Sequence, residues 1–185
     1  MESTKRATTL EYALLGLLDQ GPHSGYGLRR IFALTPLGHF SDSPGAIYPA
    51  LRRLLARRWV AARVPQGGRR RQELRISVRG RGALVAWLRL PVTAADVKSD
   101  PDRLLLRFAF MGQTLPAAAI RAFLREYEHR MTSQFEGLRR HHGEHAHTWT
   151  LTGRLAFECG LAQHEAQVAW ARRAAQALGR TKGKA

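Results

Sequence analysis

The chain has 185 residues, 44% hydrophobic and 24% charged, which allows one or two hydrophobic cores and excludes a large multidomain enzyme, wholesale disorder and a collagen-like repeat. Thirty Lys+Arg against fourteen Asp+Glu leave a net charge of +16, so a polyanion, either nucleic acid or an anionic membrane surface, is the first partner to weigh. Only Lys5, Lys98, Lys182 and Lys184 are lysines, and the other 26 basic residues are arginines, whose planar fork suits phosphates and guanine edges, although a GC-rich genome also raises the arginine share.

The single cysteine, Cys159, leaves no internal disulfide and points to a reducing cytoplasm as the compartment. No uninterrupted apolar stretch nears the ~20 residues of a bilayer crossing. The run Leu10 to Leu18 after Lys5 and Arg6 is broken by Glu11 and followed by no small-residue cleavage site, so no export signal is expected.

In chain order, Thr8 and Glu11 stand at capping-box spacing, followed by Leu10, Leu14, Leu17 and Leu18 on one face and a Gly21-Pro22 stop, which predicts a first helix. Ser24 caps a short second helix with Leu28, Ile31 and Phe32 inward, ended by Pro36 and Gly38. Ser43-Pro44 opens a third, with Ile47, Leu51, Leu54 and Leu55 as its buried stripe; Pro49 predicts a late or distorted start. After Arg58 the period becomes two: Val60, Ala62 and Val64, a Pro65 to Gly68 turn, then Leu74, Ile76 and Val78, a two-stranded hairpin. Ser77 caps a fourth helix through Ala83, Leu84, Trp87 and Leu88. This order is that of a winged helix-turn-helix.

Leu90-Pro91 and the aperiodic stretch Val92 to Asp100 read as a linker dividing residues 1–90 from 91–185. Beyond it everything reads as helix: Leu104, Leu105, Phe108 and Met111 after Asp100-Pro101-Asp102, then a long helix from Pro116 with the stripe Ile120, Leu124, Tyr127, Met131 and Leu138, flanked by Phe123 and Phe135 and interrupted by Gln134. A last helix from about Thr150 to Leu178 carries Leu151, Leu155, Cys159, Ala162, Ala166 and Ala169 on one face, with Leu161 and Val168 beside it. That face and the Ile120 to Leu138 seam have too little partner surface within one chain, which predicts a homodimer. The expected fold class is mainly α: an N-terminal winged helix-turn-helix followed by an all-helical dimerisation domain.

The third helix carries the strongest chemical signal. Its outward face holds Gly45, Pro49, Arg52, Arg53 and Ala56, with Ala46 and Tyr48 at the margins and Ser43 at the cap: small where backbone meets a groove, then long donors. Arg69, Arg70 and Arg71 follow Gly67-Gly68 at the hairpin turn, in reach of a minor groove or phosphates. From Arg52 to Arg81 there are eleven arginines and one acid, Glu73, a density that self-repulsion disfavours without a polyanion. A plain solvated arginine face is the alternative reading.

In these segments the chain resembles the PadR family of bacterial transcriptional regulators: Tyr12-Ala13-Leu14-Leu15-Gly16-Leu17-Leu18, His23-Ser24-Gly25-Tyr26, Ala46-Ile47-Tyr48-Pro49-Ala50-Leu51, and Gly68-Arg69 through Ile76-Ser77 to Gly80. The resemblance covers most of residues 8–88, and its specific element is the Ile-Tyr-Pro-Ala-Leu string. It implies a homodimer that binds double-stranded, palindromic operator DNA, usually as a repressor, dimerises through its C-terminal helices and releases DNA on binding a small molecule. It adds Ser24 and Tyr26 to the DNA-contacting residues. Arg70 and Leu74 stand where the family often has Pro and Tyr, and Gly27 where an acid is common, so the wing is more electrostatic here and the second helix's role is less defined.

For an effector, Trp87 before the linker and Phe108 and Phe110 after it are candidates, against the ordinary reading of buried aromatics as core. His141, His142, Glu144, His145 and His147 lie in an expected loop without fixed ligand geometry, so no metal site is assigned. Cys159 reads as a buried small hydrophobe. No GxGxxG, GxxxxGK[ST] or GxSxG occurs, so no cofactor and no enzymatic activity is expected. A sequence-tolerant architectural or RNA-directed binder is the alternative function.

Overall fold

The structure is a computed structural model and describes residues 7–41, 43–63 and 72–180. It divides into two compact units, Met1–Leu90 and Pro91–Ala185. Among the described residues it is mainly helical with one small sheet.

In the first unit, α1 (Thr9–Gln20) starts where the capping box places it: the Glu11 amide donates to Thr8 Oγ1 (3.2 Å) and the Thr8 amide to Glu11 Oε2 (2.9 Å). Ala13, Leu14, Leu15, Leu17 and Leu18 are buried, a wider apolar face than the expected stripe. Ser24 caps α2 (Gly25–Leu34) by accepting from the Gly27 amide at 3.0 Å, and Leu28 and Phe32 form its inner face. A 3₁₀ turn, Pro36–His39, follows. Ser43 caps α3 (Pro44–Ala56), and this helix runs unbroken through Pro49. The expected late or distorted start is therefore corrected. Pro49 lacks only the amide that would bond the Gly45 carbonyl, one bond in the second turn of a helix held by Ile47, Ala50, Leu51 and Leu54 in the core.

The sheet has three strands, not two. β2 (Val60–Arg63) and β3 (Glu73–Ile76) pair antiparallel with Val60 opposite Ile76 and Ala62 opposite Leu74, while β1 (His23–Ser24) pairs with the other edge of β3, giving the order β1-β3-β2. Two residues show no periodicity, so β1 exists only because β3 lies beside it. Val78 does not continue the alternation: it is the first residue of α4 (Val78–Leu88), 91% exposed, with Ser77 as the cap. Tyr12 and Trp87 stack at 4.6 Å, joining α1 to α4.

In the second unit the aperiodic stretch after Pro91 is not a bare linker. Thr93 and Asp96 form a capping box that opens α5 (Ala94–Ser99), and Val92 and Val97 are buried. Six residues are too few for periodicity to reveal a helix, which is why it read as loop. Burial pulls the Asp96 carboxyl upward, but Thr93 hydrogen bonds and the Arg103 and Arg107 charges outweigh it and hold the group below its ordinary range. α6 (Pro101–Thr114) and α7 (Ala117–His145) bury Leu104, Leu106, Phe110 and Met111 against Ile120, Leu124 and Met131. α8 (Leu151–Arg180) runs back antiparallel along α7, as Glu128 with Arg172 and His142 with Glu158 show.

α8 turns a different face inward from the one expected. Val168 and Ala171 are buried and Phe157 and Leu161 half-buried, whereas Leu151 and Leu155 are 61% and 53% exposed and Cys159, Ala162 and Ala166 are also exposed. Cys159 as a buried hydrophobe is thus corrected. The large side chains of α8 decide which face meets α7, and the small-residue row stands nearly half a turn away. The histidines are corrected as well: His141, His142, Glu144 and His145 ride the last turns of α7 and His147 the following 3₁₀ turn, with the His141 and His145 rings 4.4 Å apart. No group of three or more metal-ligating side chains forms among the described residues.

The hydroxyl of Tyr127 is buried with no hydrogen-bond partner among the described residues. Burial, then the Asp102 charge, pushes its pKa up to about 12. Because the unfolded phenol titrates near ~10, this group's contribution is fully present below that pH and is lost as pH rises through about 12. Tyr127→Phe is expected to gain about 1 kcal/mol at neutral pH, since an unpaired buried hydroxyl is removed, and to flatten the alkaline fall in thermal melts. A loss of stability at neutral pH would show that the hydroxyl has a partner.

Candidate nucleic-acid interface

α3 presents its exposed side in the order the sequence suggests. Ser43 and Gly45 are exposed, Ala46 is half-buried, and Tyr48 and Arg52 are exposed further along. Gly25 at the start of α2 keeps room for the Tyr48 ring, because a Cβ there would lie 3.0 Å from Tyr48 Cε1. Tyr26 is about half exposed and carries the Arg29 guanidinium 6.0 Å from its ring centroid. Ser24, Tyr26, Tyr48 and Arg52, assigned from separate parts of the sequence, line one cavity of about 460 Å³ between α2, α3 and β3. Arg69, Arg70 and Arg71 lie outside the described residues.

Arg53 departs from its neighbour. Although its side chain is exposed, its Nε donates to Glu11 Oε1 at 2.5 Å, and Glu11 is only 1% exposed. The other carboxylate oxygen accepts from the Thr8 amide and faces Arg57 Nη1 at 3.6 Å. Glu11 therefore does two jobs, closing the cap of α1 and anchoring two arginines one turn apart on α3. The sequence reading found only the first. The available signal was the i, i+4 spacing of Arg53 and Arg57, which lets one carboxylate meet both.

The three aromatic residues considered for an effector are each packed within their own unit. Trp87 stacks on Tyr12 and is almost fully buried. Phe108 meets Trp170 edge-on at 5.2 Å and Phe123 at 6.4 Å, and Phe110 is buried. The second unit also buries Arg107, which lies 5.1 Å over the Phe123 ring and donates to the Pro91 carbonyl at 3.3 Å; burial lowers its pKa to about 10.

Comparison with known proteins matches residues 14–86 to the transcriptional regulator PadR-like family. No curated protein matches the chain by sequence. Among solved structures, the PadR-like transcriptional regulator BC1756 from Bacillus cereus shares 24% identity over 93% of this chain and 99% of its own, with a TM-score of 0.40. Bacillus subtilis PadR in complex with operator DNA shares 20% over 92% and 99%, with a TM-score of 0.41. The same protein with p-coumaric acid shares 19% over 96% and 99%, also at 0.41. No helix among the described residues is long and apolar enough to cross a membrane. The matched span holds α1 from Leu14, the capped α2, α3 with its Ile47-Tyr48-Pro49 start and both hairpin strands, and on that ground residues 14–86 form a domain similar to the transcriptional regulator PadR-like family.

Proposed function

We propose that the chain is a cytoplasmic, ligand-responsive repressor that binds a palindromic operator as a homodimer, with residues 1–90 as the DNA-binding unit and 91–185 as the dimerisation unit. The observation that carries the DNA reading is the exposed side of α3: no bulk at Ser43, Gly45 and Ala46, then Tyr48 and an exposed Arg52. A helix entering the major groove needs that order, because its first turn approaches the bases and its later donors reach edges or phosphates. The wing arginines Arg69, Arg70 and Arg71 supply sequence-independent phosphate contacts. Dimerisation through the C-terminal helices is supported by the row Leu151, Leu155 and Cys159 on α8, exposed while the opposite side of the helix packs on α7. Trp87, Phe108 and Phe110 are packed within their own units, so an aromatic effector would have to displace those contacts to use them.

The test is selection of a duplex from a random pool, followed by competition and sedimentation. The selected duplex is expected to survive roughly 1,000-fold excess random duplex and to sediment with two chains per site. Equal affinity for both duplexes would leave the sequence-tolerant binder as the reading; one chain per site would overturn the dimer.

A further inference from the structure

Among the described residues of the first unit, acids hold their arginines on unequal terms. Glu73 and Arg75 pair at 3.0 Å on β3 with both side chains reaching solvent, whereas the Glu11 carboxylate, which meets Arg53 and Arg57, is 1% exposed. We propose that Glu11 is a specificity-determining residue for duplex recognition: it withholds the Arg53 guanidinium from phosphates and so limits affinity for DNA of arbitrary sequence. The inference rests on the reading of α3 as the DNA-facing helix.

An arginine in a solvated pair exchanges its carboxylate for a phosphate at little cost, because water already screens the pair. Arg53 has no such exchange. Were it to leave, a buried anion would keep part of its charge uncompensated, at a cost above the return of a single solvated phosphate contact. Glu11 Oε1 accepts from Arg53 Nε at 2.5 Å, while Oε2 accepts from the Thr8 amide and faces Arg57 Nη1 at 3.6 Å. The carboxylate is thus fixed at both oxygens and cannot follow Arg53 outward. Arg57 has a second hold, its guanidinium 5.1 Å from the Trp59 ring centroid. That leaves Arg53, half exposed on α3 beside Arg52, as the group whose availability Glu11 decides. Phosphate attraction is the same for every sequence, so a long cation free to reach any backbone strengthens every register, while a base-reading register gains from it only where a phosphate stands in reach. Withholding Arg53 lowers competition from wrong sequences more than it weakens the right one.

The experiment titrates the full chain and its Glu11→Gln variant with the selected duplex and with random duplex at several salt concentrations. Glutamine keeps the α1 cap, since its carbonyl accepts from the Thr8 amide as the carboxylate does. Its amide, however, sets a donor where Oε1 accepted from Arg53, and the guanidinium turns to solvent. Random duplex is expected to bind about three- to tenfold more tightly at ~0.1 M salt, with the slope of log affinity against log salt steeper by ~0.9 per chain. The selected duplex should gain less, so that its preference over random DNA falls by about threefold. Adding Arg53→Gln to Glu11→Gln should return the slope to that of the parent. A purely structural role of Glu11 would instead lower both affinities together and leave the slope alone. Arg53→Gln by itself, which does not depend on how well Glu11→Gln folds, should keep the parent's random-duplex slope. An unchanged or higher preference in Glu11→Gln, a steeper slope that persists after Arg53→Gln is added, or a flatter slope in Arg53→Gln alone would each overturn the proposal. A chain that binds duplex and shows one of these loses this inference alone; one that binds no duplex at all loses the DNA reading, and this inference with it.

Discussion

Gly80→Ala is expected to destabilise the winged unit by about 3 kcal/mol or more, the range of overpacking against a group that cannot move away. A Cβ on Gly80 would stand 2.0 Å from the Trp59 carbonyl oxygen and 2.9 Å from its carbon. That carbonyl is not free to retreat. It accepts from the Ser77 amide at 2.9 Å, and Ser77 Oγ also donates to the Arg58 carbonyl at 2.7 Å. Arg58 itself sits in the left-handed region (φ 57°) as the chain leaves α3, a conformation that costs an arginine ~1 kcal/mol and persists only under such restraint. Adding one methyl group therefore forces α4 away from the base of the hairpin. The measurement is a denaturant melt of the full chain beside Gly82→Ala, where nothing lies within 4 Å of the added Cβ. Gly82→Ala should be neutral or slightly stabilising through helix propensity; equal effects in the two variants would contradict the close approach.

Arg53→Ala and Arg52→Ala should separate into a stability defect and a binding defect, although the residues are adjacent on one helix face. Loss of Arg53 leaves Glu11, 1% exposed, with Arg57 at 3.6 Å as the remaining cation beside it among the described residues. Removing one partner of a fully buried pair costs ~3–5 kcal/mol, but Arg53 is 49% exposed and water screens part of the pair, so a loss of about 2 kcal/mol is expected. Arg52 lines the open cavity, so its truncation should leave the melt within ~0.5 kcal/mol and weaken the selected duplex by ~1–3 kcal/mol if it reads a base. Thermal melts and duplex titrations on both variants decide the matter. Equal loss of duplex affinity without loss of stability would return Arg53 to the DNA-facing set.

The helices of both units, α5 apart, were legible from local rules. Thr8, Ser24, Ser43 and Ser77 each lie at a cap followed by a run with helical period, and each caps a helix in the structure, because capping is decided within four residues of sequence. The two hairpin strands were legible from alternation: Val60 and Ala62 on one run stand opposite Ile76 and Leu74 on the other. β1, by contrast, needs the edge of β3 some fifty residues on, and α5 needs burial of Val92 and Val97 to hold a six-residue helix that would not form alone. The inward face of α8 was misread because small residues at helical spacing mark a surface that another helix could approach, but cannot say whether α7 or something else does so. The division of work between Arg52 and Arg53 follows the same logic. Sequence by itself set the helices, the hairpin and a basic outward face on α3; only the tertiary structure, by bringing buried Glu11 against that face, decided that one arginine is tied down as a strut while its neighbour is left at an open cleft. Periodicity places a side chain on a face, and the charges it meets there come from residues distant in the chain.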